Sequence, residues 1–186
     1  VETVDESNSV ALSGVALKNP TKVFQQASLN AKTWRTYEQG TILKFRSFSK
    51  DWYKASVWIN GKWQTGYIHK SHVETVDESN SVALSGVALK SPTHVYSKPA
   101  RSAKVLRNYN KYQILHFRSY SKNWYKAIVY LNGKPHTGYI HASDVSTGVD
   151  IETDYGISFD EYVEKLMTGT PKFDGAGKIA ATKEEV

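Results

Sequence analysis

Three sets of residues in this chain have side chains of the types that chemistry needs. Asp160, Glu161 and Glu164 bring three carboxylates close together. That grouping invites the machinery of glycoside hydrolysis, in which one acid protonates the leaving oxygen and a second carboxylate attacks or activates water. His69 with His72, and His136 with His141, offer imidazole nitrogens of the kind that hold divalent metals. The third set mixes rings and cations: Lys44, Arg46, Trp52, Lys54, Trp58, Tyr67 and His69, then His116, Arg118, Trp124, Lys126, Tyr130, Tyr139 and His141. Flat rings stack on sugar faces and cations meet phosphates, so this set has the chemistry of a polymer-binding surface.

Each set depends on the element that carries it. The carboxylates fall in Ile157 to Gly169 (ISFDEYVEKLMTG), the one clear amphipathic helix of the sequence. Ser158 caps it, Glu161 stands at the third helical position to reciprocate, and Gly169 followed by Pro171 stops it. Phe159, Tyr162, Val163, Leu166 and Met167 make one apolar stripe. Acids on such a helix compensate the macrodipole in its first turn or face water, so they are not read as catalytic. Neither histidine pair has a third ligand at metal-site spacing, and the His69/His72 pair does not recur, so these read as surface histidines. The chain has no Cys, which removes thiolate zinc sites, cysteine nucleophiles and disulfides together. It also lacks a phosphate-cradling glycine loop and a serine-centred nucleophile motif. No catalytic residue, metal or cofactor is assigned.

The ring-and-cation set lies on strand-like runs. Alternation along WYKASVWI puts Tyr53, Ala55, Val57 and Ile59 on one face and Trp52, Lys54, Ser56 and Trp58 on the other. The same parity separates Tyr125, Ala127, Val129 and Leu131 from Trp124, Lys126, Ile128 and Tyr130. The first face is the predicted core, and the second is predicted to meet water or a ligand. In LKFRSF, Leu43 and Phe45 point inward and Lys44 and Arg46 outward, and Tyr67 and Tyr139 are predicted to face out. Most other aromatics are expected to be packing, because each buries so much area.

These runs belong to a repeat. Val1 to Leu17 recurs unchanged as Val73 to Leu89, and at that offset 46 of 72 positions are identical, so two copies of one folding unit follow. The runs SVALSGVALK, TKVFQQ, AKTWRTY, TILKFRSF, WYKASVWI and WQTGYIH, rich in aromatic and β-branched residues, predict five or six strands per copy. Asn60-Gly61, repeated as Asn132-Gly133, is the strongest hairpin signal. The predicted fold class is all-β, two tandem small barrels with a short C-terminal α-helical tail. The acid-rich VETVDES segment reads as a solvated linker, giving linkers over 1–8 and 73–80, modules over 9–72 and 81–145, and an acidic tail over 146–186. Residues 1–72 carry 10 basic and 5 acidic residues, 73–144 carry 10 and 4, and 146–186 carry 4 and 9, so the overall +6 conceals two basic bodies and an acidic extension. With 40% apolar residues the chain can bury a core, and no apolar run approaches the roughly 18 residues of a membrane span. The start at Val1 without Met, on what looks like the tail of a further copy, leads us to expect a longer parent chain.

The ordered set GVALK-P-T-V-Y, KVL-Y, WYKA-V-NGK and TGYIH-S resembles the bacterial SH3-like cell-wall-binding repeats, near the GW-module branch, of Gram-positive autolysins. The Gly-Trp that names GW modules is Gly66-Tyr67 and Gly138-Tyr139 here. The resemblance implies SH3-like barrels that are secreted and cell-wall associated, with teichoic or lipoteichoic acid or peptidoglycan as partner. SFDEYVEKLMTGTPKFDG followed by ATKEEV is similar to the lead-in segment of bacterial glucosaminidase domains, which cleave peptidoglycan glycan strands. That likeness implies a catalytic glutamate beyond Val186, so that this chain would target a peptidoglycan hydrolase without itself being an enzyme. Two other classes fit the charge: an adhesin-like module binding host glycosaminoglycans, and a small-barrel binder of single-stranded nucleic acid. The acidic linkers and tail count against nucleic acid.

Overall fold

A computed structural model describes residues 9–147. They divide into two compact units, residues 9–80 with 98–103 and 120–122, and residues 81–97, 104–119 and 123–147. Both are all-β. The first is built from β1 (Ala11–Ala16), β2 (Thr21–Phe24), β3 (Thr33–Tyr37), β4 (Ile42–Ser47), β5 (Trp52–Ile59), β6 (Lys62–His69) and β7 (Val73–Val76), with a single 3-10 turn at Lys70–His72. The strands join antiparallel in the order β3-β2-β6-β5-β4-β1-β7. The second unit repeats the plan with β8 (Ala83–Ala88), β9 (Thr93–Tyr96), β10 (Val105–Tyr109), β11 (Ile114–Ser119), β12 (Trp124–Leu131), β13 (Lys134–His141) and β14 (Val145–Thr147), ordered β10-β9-β13-β12-β11-β8-β14. Each of the six runs singled out in the first copy contains one strand.

The β5–β6 hairpin turns at Asn60 and Gly61, whose φ values of 49° and 84° are the left-handed pair a type I′ turn requires. The turn fixes the register: Ile59 lies opposite Lys62, Trp58 opposite Trp63, Ser56 opposite Thr65 and Lys54 opposite Tyr67. Leu43, Phe45, Ala55, Val57 and Ile68 form the core with Val73, and Tyr53 and Ile59 pack against it, as alternation predicts. Leu115, Phe117, Ala127, Val129, Ile140 and Val145 form the matching core of the second unit. Gly66 allows β2 to cross close over β6, since a Cβ there would collide with Val23 Cγ1 and lie 3.3 Å from the Phe24 carbonyl oxygen. The Thr-Gly-Tyr signature therefore marks a close approach of strands.

Two expectations change. Val73–Val76, read as solvated linker, is strand β7, paired with β1 from Ser13 opposite Val76 to Ala16 opposite Val73. Counting acids hid its role: the backbone groups along the outer edge of β1 need partners, and Val73 enters the core. Each sheet thus has seven strands, and in the second unit the last strand runs past Val145 to Thr147. The second change is that Trp52 and Trp124, predicted to face outward, are each only 5% exposed. They stand on the non-core face, as parity requires, but each sits at the start of its strand where other rings cover it. The first linker (1–8) and the predicted helix at Ile157 to Gly169 lie outside the described residues.

Candidate functional site

The non-core face of β4 and β5 gathers the predicted cations. Arg46 pairs with Lys54 and Ser47 with Tyr53, and Lys44 lies opposite Ser13 on β1. Directly opposed residues share a face, so Lys44, Arg46, Lys54, Ser56, Trp58 and Tyr67 stand on one surface. Lys44, Arg46, Lys54 and Ser56 of this surface line an open groove of about 1440 Å³ together with Ser9, Val10 and Trp63, and Asp77 and Glu78 complete its rim.

The cations do different work. Arg46 is exposed yet held: its Nε donates to Ser9 Oγ at 2.9 Å and its Nη2 to the Ser9 carbonyl at 2.8 Å. Beside it the Val10 amide donates to Ser47 Oγ at 2.9 Å, and the Ser47 amide returns a bond to the Val10 carbonyl at 3.0 Å. Arg46 therefore clamps the entry segment onto β4 while adding charge to the groove. Lys54 is half-buried, with Nζ 5.6 Å from the Phe48 ring centroid. Phe48 in turn packs against Tyr67 at 5.1 Å, which leaves Tyr67 half-buried. On the rim, Asp77 accepts from the Asn80 side chain at 3.2 Å, Ser79 Oγ at 3.0 Å and the Asn80 amide at 3.1 Å. These bonds hold its carboxyl below the usual range.

His69 has a structural task. Its Nδ1 accepts from the Ser71 amide at 3.2 Å and caps the 3-10 turn, while its ring meets Trp52 at 5.0 Å and His72 at 5.3 Å. His141 repeats the cap on the Ser143 amide at 3.1 Å and meets Trp124 at 4.9 Å. Burial, then His69 and Lys18, lower the pKa of His72. His136 and His141 lie an odd number of residues apart on β13 and so face opposite sides. Among the described residues no cluster of three or more His, Asp or Glu could hold a metal.

In the second unit Arg118 pairs with Lys126 and repeats the clamp, donating from Nε to Ser81 Oγ at 3.1 Å and from Nη2 to the Ser81 carbonyl at 2.8 Å. His116 replaces Lys44 and lies 3.0 Å from Ser85 Oγ through Nδ1. Tyr130 is exposed, as predicted. Tyr139, predicted to face out, is instead 6% exposed.

The most exposed ring in the first unit is one the strand parity of β5 alone passes over. Trp63 is 66% exposed and meets Trp58, itself 51% exposed, edge to face at 5.1 Å and 74°. The signal was in the sequence: a two-residue Asn-Gly turn places the residues two before and two after it opposite one another.

No protein-family model matches the chain, and no curated protein matches it. Among solved structures, the CBDP35 native structure is 18% identical with a TM-score of 0.28, covering 76% of this chain and 99% of that one. NlpC1 from Trichomonas vaginalis is 12% identical with a TM-score of 0.27, covering 76% of this chain and 47% of that one. NlpC2 from the same organism is 13% identical with a TM-score of 0.28, covering 91% of this chain and 62% of that one. Among the described residues no helix is long and apolar enough to cross a membrane.

Proposed function

We propose that the two units are non-catalytic SH3-like modules that hold a secreted peptidoglycan hydrolase, an N-acetylglucosaminidase autolysin, on the Gram-positive cell wall by binding an anionic wall polymer, teichoic or lipoteichoic acid first. The observation that carries this is the shared non-core face, where Lys44, Arg46 and Lys54 stand over neighbouring strands beside exposed rings, with Arg118 and Lys126 in the same relation in the second unit. Cations one strand apart meet successive phosphates of an extended polyanion, and rings beside them accept sugar faces. Two tethered units convert weak contacts into retention on a polymer that repeats its sites. The sequence resemblance supports the same reading.

Sedimentation separates the three ligand classes. The chain is expected to pellet with intact walls and to stay largely in solution with walls stripped of teichoic acid, while heparin and single-stranded DNA compete poorly. Equal pelleting with stripped walls moves the ligand to peptidoglycan itself, and stronger retention on heparin or DNA than on walls overturns the reading.

A further inference from the structure

Resting on that reading, we propose that the groove of the first unit has a saccharide subsite at Trp63, which the second unit lacks, so that the first unit reads a pyranose ring carried beside a negative charge. Trp58 and Trp63 keep half or more of their surface in solvent at the mouth of a hairpin. A cross-strand aromatic pair can simply stabilise a hairpin, but the second unit shows that this hairpin does not need it. There the same Asn132-Gly133 turn and the same register hold with Tyr130 opposite Pro135. The Trp pair is therefore an addition to the fold.

Its position gives the ligand. Trp63 lines the same groove as Lys44, Lys54 and Ser56, and Trp58 lies one pleat beyond Ser56, about 7 Å along the strand. The two indoles stand nearly perpendicular and Trp63 keeps 66% of its surface in solvent, which leaves indole surface for a ring the size of a pyranose, and the adjacent ammonium groups take the charge of the polymer that bears it. Arg35 Nη2 donates to the Trp58 carbonyl at 2.6 Å and ties down this strand, as Arg107 does at the Tyr130 carbonyl in the second unit. In the second unit Pro135 stands in place of Trp63, leaving Tyr130 as the exposed ring of that hairpin, and His116 replaces Lys44, so the Trp63 contact and one lysine are lost.

The test is titration of the intact chain with poly(glycerol phosphate), bare or substituted with N-acetylglucosamine, and with a heparin hexasaccharide as a source of charged pyranose in the chain itself. Wild type is expected to favour the substituted polymer by roughly three- to tenfold, the scale of one aromatic stacking contact. Trp63→Pro, a residue the second unit accepts at this strand position, should erase the preference by weakening binding of the substituted polymer more than that of the bare one. Trp63→Tyr should retain it, and Pro135→Trp should add to it. Matching melting curves confirm that the variants fold. A preference that survives in Trp63→Pro, or an equal loss on bare and substituted polymer, overturns the subsite while the wall-binding reading stands. A preference confined to the hexasaccharide assigns the subsite to a glycan in place of a substituted polyol phosphate and overturns the wall reading. Binding to none of the three probes overturns the subsite and the anionic-polymer reading together.

Discussion

Trp52 presents its indole to the ring of Phe24 edge-on, with centroids 5.8 Å apart and planes at 84°. Trp124 repeats the contact with Tyr96 at 5.9 Å and 82°. In both units the indole also meets the histidine that caps the following 3-10 turn, so one side chain ties β2, β5 and the end of β6 together.

Trp52→Ala should therefore destabilise the first unit by about 3 to 5 kcal/mol, the usual cost of deleting a buried aromatic. Trp58→Ala should leave stability within about 0.5 kcal/mol, because it removes an exposed ring. Urea unfolding of the two variants reads this directly. Equal midpoints would mean that the Phe24 contact carries no weight.

Arg46 tests whether charge and clamp can be separated. Arg46→Lys keeps the cation over the groove but loses the fork that engages Ser9 at two atoms, so the entry segment should loosen at a cost of about 1 kcal/mol. Amide exchange at Val10 should quicken while wall binding stays nearly constant. A large loss of binding in this variant would mean that the guanidinium fork of Arg46 engages the polymer itself and contributes more than its charge.

The contrast between these two side chains shows how far the sequence could be read. Period-two alternation found the core face of β4 and β5, and the Asn-Gly turn set the hairpin register, because both are local consequences of backbone geometry. Burial on the other face was not local. Trp52 is covered by Phe24 from β2 and His69 from β6, and Tyr67 is partly covered by Phe48, contacts between residues far apart in sequence that alternation does not encode. Arg46 and Lys54 were found as cations, but the clamp on Ser9 depends on where the chain enters the sheet. The role of VETV stayed hidden because its strand is defined by the edge of β1 that it completes.

His72 gives the first unit a pH dependence that the second should not share. The Leu17 amide donates to the His72 carbonyl and the Leu89 amide to that of Asp144, both at 2.9 Å, so the two residues occupy equivalent sites. Asp144 is buried with Lys90 Nζ 3.0 Å from its carboxylate, whereas burial, His69 and Lys18 lower the His72 pKa below 6.5. The unfolded chain then takes up a proton at this site before the folded one does. This site costs no stability above pH 6.5, and the first unit weakens as pH falls through 6.5 toward the lowered folded value. His72→Asp should place a carboxylate beside Lys18 and remove this loss. The measurement is the change in urea midpoint between pH 7.5 and 5.0 in wild type and variant, and identical changes would refute the assignment.

Salt and charge substitution test the groove as an electrostatic surface. Raising salt from about 0.05 to 0.5 M shortens the Debye length from roughly 14 to 4 Å, so a polyanion held by Lys44, Lys54 and their neighbours should be released in large part. Lys44→Gln with Lys54→Gln should weaken wall binding and flatten its salt dependence together, since fewer counterions are displaced when fewer cations engage the polymer. Lys126→Gln should do the same to a smaller extent, because His116 stands where Lys44 would be and the second unit carries less charge on this face. Lys44 and Lys54 stand on the non-core face and neither belongs to the hydrophobic core, so these substitutions should leave the fold intact. If the double variant binds more weakly but keeps the full salt slope, the contacts that matter are neutral ones, and the polymer is read by its sugars or peptides.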